Sequence, residues 1–175
     1  MHPKVLVTYA TRMESTSEVA EVIGMILREQ DVLADVLAVD EVTDFSAYKA
    51  AIIGSAVRNS AWLPEAVEFI KTHYERLQSI PVVYFTVCMT MRDDTDQSRR
   101  TVESYVQPVL KTFPEIKPLD MGFFGGMFDG REFPRLMRWI IQSLNFPTGD
   151  FRDWEAVHHW TKDVYPRLLA AIKDG

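Results

Sequence analysis

The feature of this sequence that most constrains its fold is a series of short apolar segments that alternate with stretches of helical periodicity. The segments 48–56 and 80–89 would be apolar on both faces of a strand. Such strands are typical of a parallel sheet that helices cover on both sides. Five strands are predicted in all, at 5–9, 31–39, 48–56, 80–89 and 118–126. The sequence therefore predicts an α/β fold with a three-layer, doubly wound sheet of five parallel strands.

Helices are predicted between these strands, where apolar residues recur three or four positions apart. The first runs over 15–29, and Pro64 marks the start of the second. Further helices are predicted over 95–112, 133–144 and 153–172. Strands and helices thus alternate along the chain, as the doubly wound arrangement requires.

Length and composition limit the function classes. The 175 residues suit one domain with a substantial core, so we expect a single domain over 1–175. A net charge of −6 argues against a general nucleic-acid binder, whose affinity depends on neutralising phosphates. The single cysteine, Cys88, excludes an internal disulfide and favours a cytoplasmic location. We expect no signal peptide and no membrane-spanning segment.

The loops that follow the strands are the best candidates for a functional site. Ligands of doubly wound folds bind beyond the carboxyl ends of the strands, where the strand order reverses. The loops concerned are 9–16, 55–62, 87–95 and 122–132. The four histidines lack metal-ligand spacing, and no Ser-His-Asp or Cys-His arrangement is recognisable. The sequence therefore predicts neither a metal site nor a catalytic side chain.

The first of these loops, 9–16, leads directly into a helix. A helix N-terminus offers free N–H groups and a partial positive charge, and the hydroxyls of Thr11, Ser15 and Thr16 would add donors. The loop lacks the glycines and lysine of a P-loop and the glycines of a dinucleotide fingerprint, which leaves a monophosphate as the candidate anion. An alternative needs no ligand, because Ser15 and Glu18 match a capping box.

The same segment, TYATRMESTSEVAEVI, resembles the phosphate-binding turn of flavodoxins. In that turn an aromatic residue precedes a Thr/Ser-x-x-Gly-x-Thr pattern and a helix, and Tyr9, Thr11 and Thr16 match it. Thr8 and Glu14 depart from it, since Glu14 stands where the family has glycine. Glycine allows the backbone to approach a phosphate closely, so we expect Glu14 to weaken FMN binding.

Other stretches narrow the resemblance to one branch of the flavodoxin-like family, which includes menaquinone-dependent protoporphyrinogen oxidase. These are AIIGSAVRNSAWLPEAVEFIKTHYERLQSIPVVYFTV, GDFRDWEAVHHWTKDVYPRL and an inserted loop and helix at about 122–147. The resemblance implies the strand order 2-1-3-4-5 and FMN as cofactor. It further implies hydride transfer from a reduced tetrapyrrole to the flavin and electron passage to a quinone.

The resemblance also implies which loops hold FMN. The expected cofactor-binding residues are Thr11, Arg12, Met13, Glu14, Ser15, Thr16, Ser55, Ala56, Val57, Arg58, Asn59, Trp62, Val87, Cys88, Met89 and Thr90. Trp62 is expected either to stack on the flavin or to pack in the core at a helix start. Cys88 ends a predicted buried strand, where a thiol usually acts as a small apolar residue.

Three arginines in the inserted segment, Arg131, Arg135 and Arg138, are candidate ligands for the carboxylates of a tetrapyrrole. With Trp139, the same helix could instead lie on a membrane surface and reach a quinone, or it could be a solvated outer face. Two other functions remain open. The protein could be an electron carrier that docks a redox partner protein and has no substrate, or a flavin-free binding module.

Overall fold

The computed structural model of the protein describes residues 3–128 and 147–174, together with Pro134, Trp139 and Ser143. Its strands are β1 (Lys4–Ala10), β2 (Leu33–Ala38), β3 (Ala50–Arg58), β4 (Ala61–Trp62), β5 (Val82–Cys88), β6 (Met121–Gly125), β7 (Met127–Phe128) and β8 (Gly149–Asp150). Its helices are α1 (Ser15–Glu29), α2 (Pro64–Thr72), α3 (Tyr74–Gln78), α4 (Asp96–Thr112) and α5 (Trp154–Asp174).

Five parallel strands form the main sheet in the order β2-β1-β3-β5-β6. The short β4 pairs with β3, as the second half of a hairpin. When the five parallel strands are numbered alone, the order is 2-1-3-4-5, so the predicted flavodoxin-like sheet is confirmed. None of the helices in the described part of the chain is long and apolar enough to cross a membrane.

Side chains of the central strands alternate between two separate cores, one on each face of the sheet. Ile53 and Tyr84 pack on one face with side chains of α2, α3 and α4. Ile52 and Phe85 pack on the other face with side chains of α1 and α5. These four side chains are no more than 1% exposed. Burial on both faces explains why these strands read as continuous apolar segments.

The close approach of β3 and β5 depends on Gly54. Gly54 is the parallel partner of Phe85, and a Cβ at Gly54 would lie 1.9 Å from the nearest Phe85 ring atom. The aromatic ring thus occupies the place of a side chain on the neighbouring strand. This packing fixes the spacing of β3 and β5 just before the loops that carry the candidate site.

The start of α1 differs from the capping box that the sequence predicted. Ser15 is the first helical residue, and Glu14 occupies the N-cap position with φ 60° and no side-chain capping bond. The side chain of Glu18 forms an ion pair with Arg152 and does not reach back to the start of the helix. The capping-box alternative is therefore wrong, and the helix start is organised by the backbone of Glu14.

Candidate functional site

A cavity of about 400 Å³ opens at the carboxyl ends of β1, β3 and β5. Its lining residues are Thr11, Arg12, Met13, Ser15, Ala56, Val57, Arg58, Val87, Cys88, Met89, Gly126, Met127 and Phe128. The ten lining residues from Thr11 to Met89 were expected from the sequence, and the structure brings them together from three separate loops. The remaining expected residues, Glu14, Thr16, Ser55, Asn59, Trp62 and Thr90, do not line this cavity.

The loop between β1 and α1 presents two buried hydroxyls. The Oγ1 atoms of Thr11 and Thr16 are shielded from solvent, and neither has a hydrogen-bond partner within the described ranges. An unpaired buried hydroxyl costs roughly 1–3 kcal/mol, so native proteins rarely leave one without a bound partner. These two atoms lie where the amides of the first turn of α1 also collect positive charge. The loop is therefore suited to an anion.

Glu14 adopts the conformation for which the flavodoxin pattern uses glycine. Its φ of 60° places it in the left-handed region, which is strained for a residue with a Cβ. Its side chain is exposed, and its carbonyl oxygen accepts a 2.5 Å hydrogen bond from Ser17 Oγ. The turn thus keeps its shape without the glycine, and the Glu14 carboxylate is exposed at the N-terminus of α1.

Arg12 lines the cavity but is already paired. Its guanidinium forms an ion pair with Glu65 in the first turn of α2. This hydrogen bond holds the pKa of Glu65 below its usual value. Both side chains are nearly half exposed, so the pair contributes at most about 1 kcal/mol to stability. A stronger anion in the cavity could therefore compete with Glu65 for Arg12.

The second loop is a tight hairpin between β3 and β4. Asn59 and Ser60 have φ values of 51° and 58°, as a two-residue turn with both central residues left-handed requires. Ser55, one of the expected cofactor ligands, is fully buried. Its Oγ donates to Ala56 O at 2.7 Å and accepts from Leu63 N–H at 3.0 Å. Ser55 thus shapes the loop from beneath the cavity.

Trp62 packs in the core, which was the alternative to stacking on the flavin. It is 4% exposed and lies edge-on to Tyr84 with ring centroids 5.1 Å apart. Its Nε1 donates a 2.9 Å hydrogen bond to Thr86 Oγ1. Trp62 does not line the cavity, and these contacts match the core-packing alternative. Contact between Trp62 and the cofactor stays a prediction.

The third loop begins where β5 ends. Val87 and Cys88 are buried at the end of the strand, and Met89–Arg92 forms a short 3-10 turn. Burial raises the pKa of the Cys88 thiol, so the thiol is neutral near pH 7. Cys88 therefore supplies an apolar surface to the cavity. Thr90 lies 3.5 Å from Tyr105, hydroxyl to hydroxyl, and does not itself line the cavity.

The fourth wall, Gly126–Phe128, was not named among the expected site residues. The chain leaves β6 at Gly125, where a Cβ would lie 2.1 Å from the carbonyl oxygen of Phe151. At Gly126 a Cβ would lie 3.5 Å from Ser15 Oγ. The wall is therefore adjacent to the first turn of α1. The glycine pair at the end of the predicted fifth strand was the sequence signal for this approach.

The predicted substrate residues Arg131, Arg135 and Arg138 lie outside the described residues. Trp139, on the same predicted helix, is described and is 65% exposed. Among the residues that the structure describes, no cluster of three or more His, Cys, Asp or Glu side chains could hold a metal ion.

Comparison with known proteins identifies the relatives of this chain. It is 25% identical over 172 residues to protoporphyrinogen IX dehydrogenase (quinone) of Escherichia coli strain K12, covering 92% of this chain and 94% of that protein. It is 23% identical over 180 residues to the protein of the same name from Leishmania major, covering 96% and 77%. Oxidised flavodoxin 2 from Bacillus cereus superposes with a TM-score of 0.55 and 16% identity, covering 94% and 99%.

These matches confirm the predicted resemblance to flavodoxins and to the protoporphyrinogen-oxidising branch. The protein-family model of the flavodoxin domain matches residues 6–154, which includes the main sheet except the first two residues of β1, and all four walls of the cavity. The chain therefore belongs to the flavodoxin domain family.

Proposed function

We propose that the protein is an FMN-dependent oxidoreductase that passes electrons from a reduced tetrapyrrole to a quinone. Membership of the flavodoxin family implies a flavin cofactor. The names of the relatives from Escherichia coli and Leishmania major supply the substrate and acceptor classes. Both relatives match over most of this chain, which supports carrying the proposal beyond the cofactor alone.

The observation that carries the proposal is the pair of unpartnered hydroxyls of Thr11 and Thr16 at the start of α1. A phosphate group at this helix start would accept a hydrogen bond from Thr11, which lines the cavity, and from Thr16, the second residue of α1, which does not itself line the cavity. This donor chemistry fits the phosphate end of FMN. The adjoining cavity of about 400 Å³ lies within the range of roughly 300–1,000 Å³ typical of small-molecule sites. In this proposal Ala56–Arg58 and Val87–Met89 would face the rest of the cofactor.

Bound flavin would supply the redox chemistry, and the chain would supply binding, orientation and exclusion of water. Val57, Val87 and Met89 give the cavity apolar walls that limit water. The thiol of Cys88 is held neutral by burial and so is not assigned a nucleophilic role. No side chain is proposed as a general acid or base.

Titration of the flavin-free protein tests the cofactor. Riboflavin is the matched ligand, since it differs from FMN only in lacking the phosphate. We expect quenching of flavin fluorescence with FMN to saturate at a concentration about 100-fold below that for riboflavin, as two charge-assisted hydrogen bonds would give. Equal affinities would place the phosphate elsewhere, and no binding of either would leave a flavin-free module.

Turnover of protoporphyrinogen with a menaquinone analogue tests the reaction. Turnover that requires FMN supports the oxidoreductase, whereas tight FMN binding without turnover would leave an electron carrier that serves a partner protein. Arg135→Gln and Arg138→Gln should raise the apparent Michaelis constant for the tetrapyrrole if these arginines hold its carboxylates. An unchanged constant would remove both from the proposed substrate site.

A further inference from the structure

The wall of the cavity at Gly126–Phe128 is tied to the segment that follows the insertion. β7 and β8 pair antiparallel, with β7 in the first part of the inserted segment and β8 just after its end. The N–H of Phe151 donates a 3.1 Å hydrogen bond to the carbonyl oxygen of Gly126. Any displacement of β8 would therefore move the cavity wall.

Arg152 is the side chain that joins this wall to α1. Its Nε and Nη2 donate to the two carboxylate oxygens of Asp150 at 2.7 and 2.6 Å. The guanidinium also forms an ion pair with Glu18 in the first turn of α1. It lies 3.8 Å from the Sδ of Met127 and 4.7 Å from the ring centroid of Trp154. One side chain therefore contacts β7, β8, α1 and the start of α5.

Burial of the arginine, though not of its carboxylate partners, separates this ion pair from ordinary surface pairs. The Arg152 side chain is 9% exposed, compared with 48% for Arg12 in its pair with Glu65, whereas Glu18 and Asp150 are 51% and 45% exposed. A nearly buried guanidinium that loses a partner cannot simply be rehydrated, so its contacts are worth more than those of an exposed pair. The two parallel hydrogen bonds to Asp150 also fix the orientation of the planar Arg152 guanidinium group.

We propose that Arg152 is a positioning residue for the cofactor site. By joining Asp150 and Met127 to Glu18, it holds the wall Gly126–Phe128 against the first turn of α1, where the candidate phosphate ligands lie. The effect of Arg152 on cofactor binding rests on the proposed function, whereas its role in holding the wall Gly126–Phe128 does not.

The single cysteine of the chain provides a reporter for this wall. Cys88 is 8% exposed and lines the cavity. A Cβ at Gly126 would lie 3.8 Å from the carbonyl carbon of Cys88, so the wall lies directly beside this residue. Alkylation of Cys88 by iodoacetamide in the flavin-free protein should therefore measure how often the wall opens.

The experiment compares alkylation rates of four variants. Arg152→Met should react about tenfold faster than the wild type, the change expected for loss of one charge-assisted interaction. Glu18→Gln should also react faster, and the double variant no faster than Arg152→Met alone, because both substitutions release the same contact. Glu21→Gln changes an exposed carboxylate of α1 without a role in this contact and should leave the rate unchanged.

A destabilised variant separates local opening from global unfolding. Val109→Ala removes methyl groups from the core on the opposite face of the sheet and should lower the melting temperature without accelerating alkylation under native conditions. The proposal is overturned if Arg152→Met folds and reacts at the wild-type rate. It is equally overturned if Val109→Ala accelerates the reaction as much as Arg152→Met.

A parallel FMN titration tests the consequence for the cofactor. Arg152→Met should bind FMN about tenfold more weakly, matching the change in wall opening. A wild-type protein that binds no flavin would refute the proposed function and the cofactor role of Arg152, while the alkylation rates still decide whether Arg152 holds the wall. Unchanged FMN affinity in a variant with an open wall would overturn the cofactor role alone.

Discussion

Trp62 Nε1 donates a 2.9 Å hydrogen bond to Thr86 Oγ1 between β4 and β5. Thr8, on β1, is as completely buried as Thr86, with no exposed side-chain area. Its Oγ1 nevertheless has no hydrogen-bond partner in the part of the chain that the structure describes. The two threonines therefore form a matched pair with equal burial and opposite hydrogen-bonding states.

Substitution of each threonine by valine, which has the same shape, should change stability in opposite directions. Thr8→Val removes an unpaired buried hydroxyl and should raise the free energy of unfolding by about 1 kcal/mol. Thr86→Val leaves the indole N–H of Trp62 without its acceptor and should lower that free energy by about 1–2 kcal/mol. Urea unfolding of the three proteins measures both changes, and a loss of stability in both variants would contradict this account of Thr8.

Replacement of Glu14 by glycine should strengthen FMN binding. It removes a carboxylate from the neighbourhood of the proposed phosphate, at a backbone position with φ 60° that glycine adopts without strain. Removing a repulsion of about 1 kcal/mol would tighten binding about fivefold. Fluorescence titration measures the dissociation constant, and binding no tighter than the wild type would show that Glu14 does not hinder FMN.

Two control variants separate charge from backbone strain at this turn. Glu14→Gln keeps the strained backbone and removes only the charge, so it should reproduce the part of the gain that is electrostatic. Asp31→Gly relieves a similar φ of 58° beyond the end of α1. Because Asp31 does not line the cavity, this variant should leave FMN affinity unchanged.

The sheet could be predicted because its signal is local and repeated. Ile52 and Ile53 face opposite cores, so the strand reads as apolar throughout, and the same holds for Tyr84 and Phe85. The helix over 15–29 was predicted with the bounds that α1 has, since its apolar spacing runs the full length. The three expected loops then meet at one cavity because parallel strands end at the same edge of the sheet.

The features that the sequence could not predict depend on contacts between distant residues. The partner of Trp62 is 24 residues away, and that contact decides that the indole packs in the core. Arg152 and Glu18 are far apart in the chain, and β7 and β8 are two-residue strands with no detectable period. The left-handed φ of Glu14 could not be predicted from the residue itself, because glycine, the usual sequence signal for that conformation, is absent at this position.

The hydroxyl of Tyr48 should stabilise the protein mainly while Asp35 is ionised, in addition to the packing of its buried ring. Burial alone would raise the pKa of Asp35, but hydrogen bonds from Lys4 and Tyr48 outweigh it and hold the pKa below its ordinary value. The Tyr48 hydroxyl lies 2.7 Å from Asp35 Oδ2. Tyr48→Phe should therefore lower the free energy of unfolding at pH 7 by about 1 kcal/mol, a modest loss because the Asp35 side chain is 39% exposed.

The sign of the pH dependence follows from the lowered pKa. A carboxyl group whose pKa is lower in the folded protein contributes its stability above the unfolded pKa and loses it as the pH falls through the folded value. The difference between the wild type and Tyr48→Phe should therefore shrink when unfolding is measured at successively lower pH, below about 4. A difference that stays constant down to pH 3 would show that the hydrogen bond does not depend on the charge of Asp35.

The reactivity of Cys88 should respond to both pH and flavin. Burial raises the pKa of its thiol, and only the thiolate is alkylated, so the folded protein has less thiolate at pH 8 than an unfolded chain. The alkylation rate should therefore still be rising at a pH near 9, where the rate for the urea-unfolded protein approaches its plateau.

Saturating FMN should slow the alkylation of Cys88 about tenfold by covering the cavity, whereas adenosine monophosphate at the same concentration should not. Intact-mass measurement gives the rates. A plateau shared by folded and unfolded protein would contradict the raised pKa, and a rate unaffected by bound FMN would place the cofactor away from Cys88.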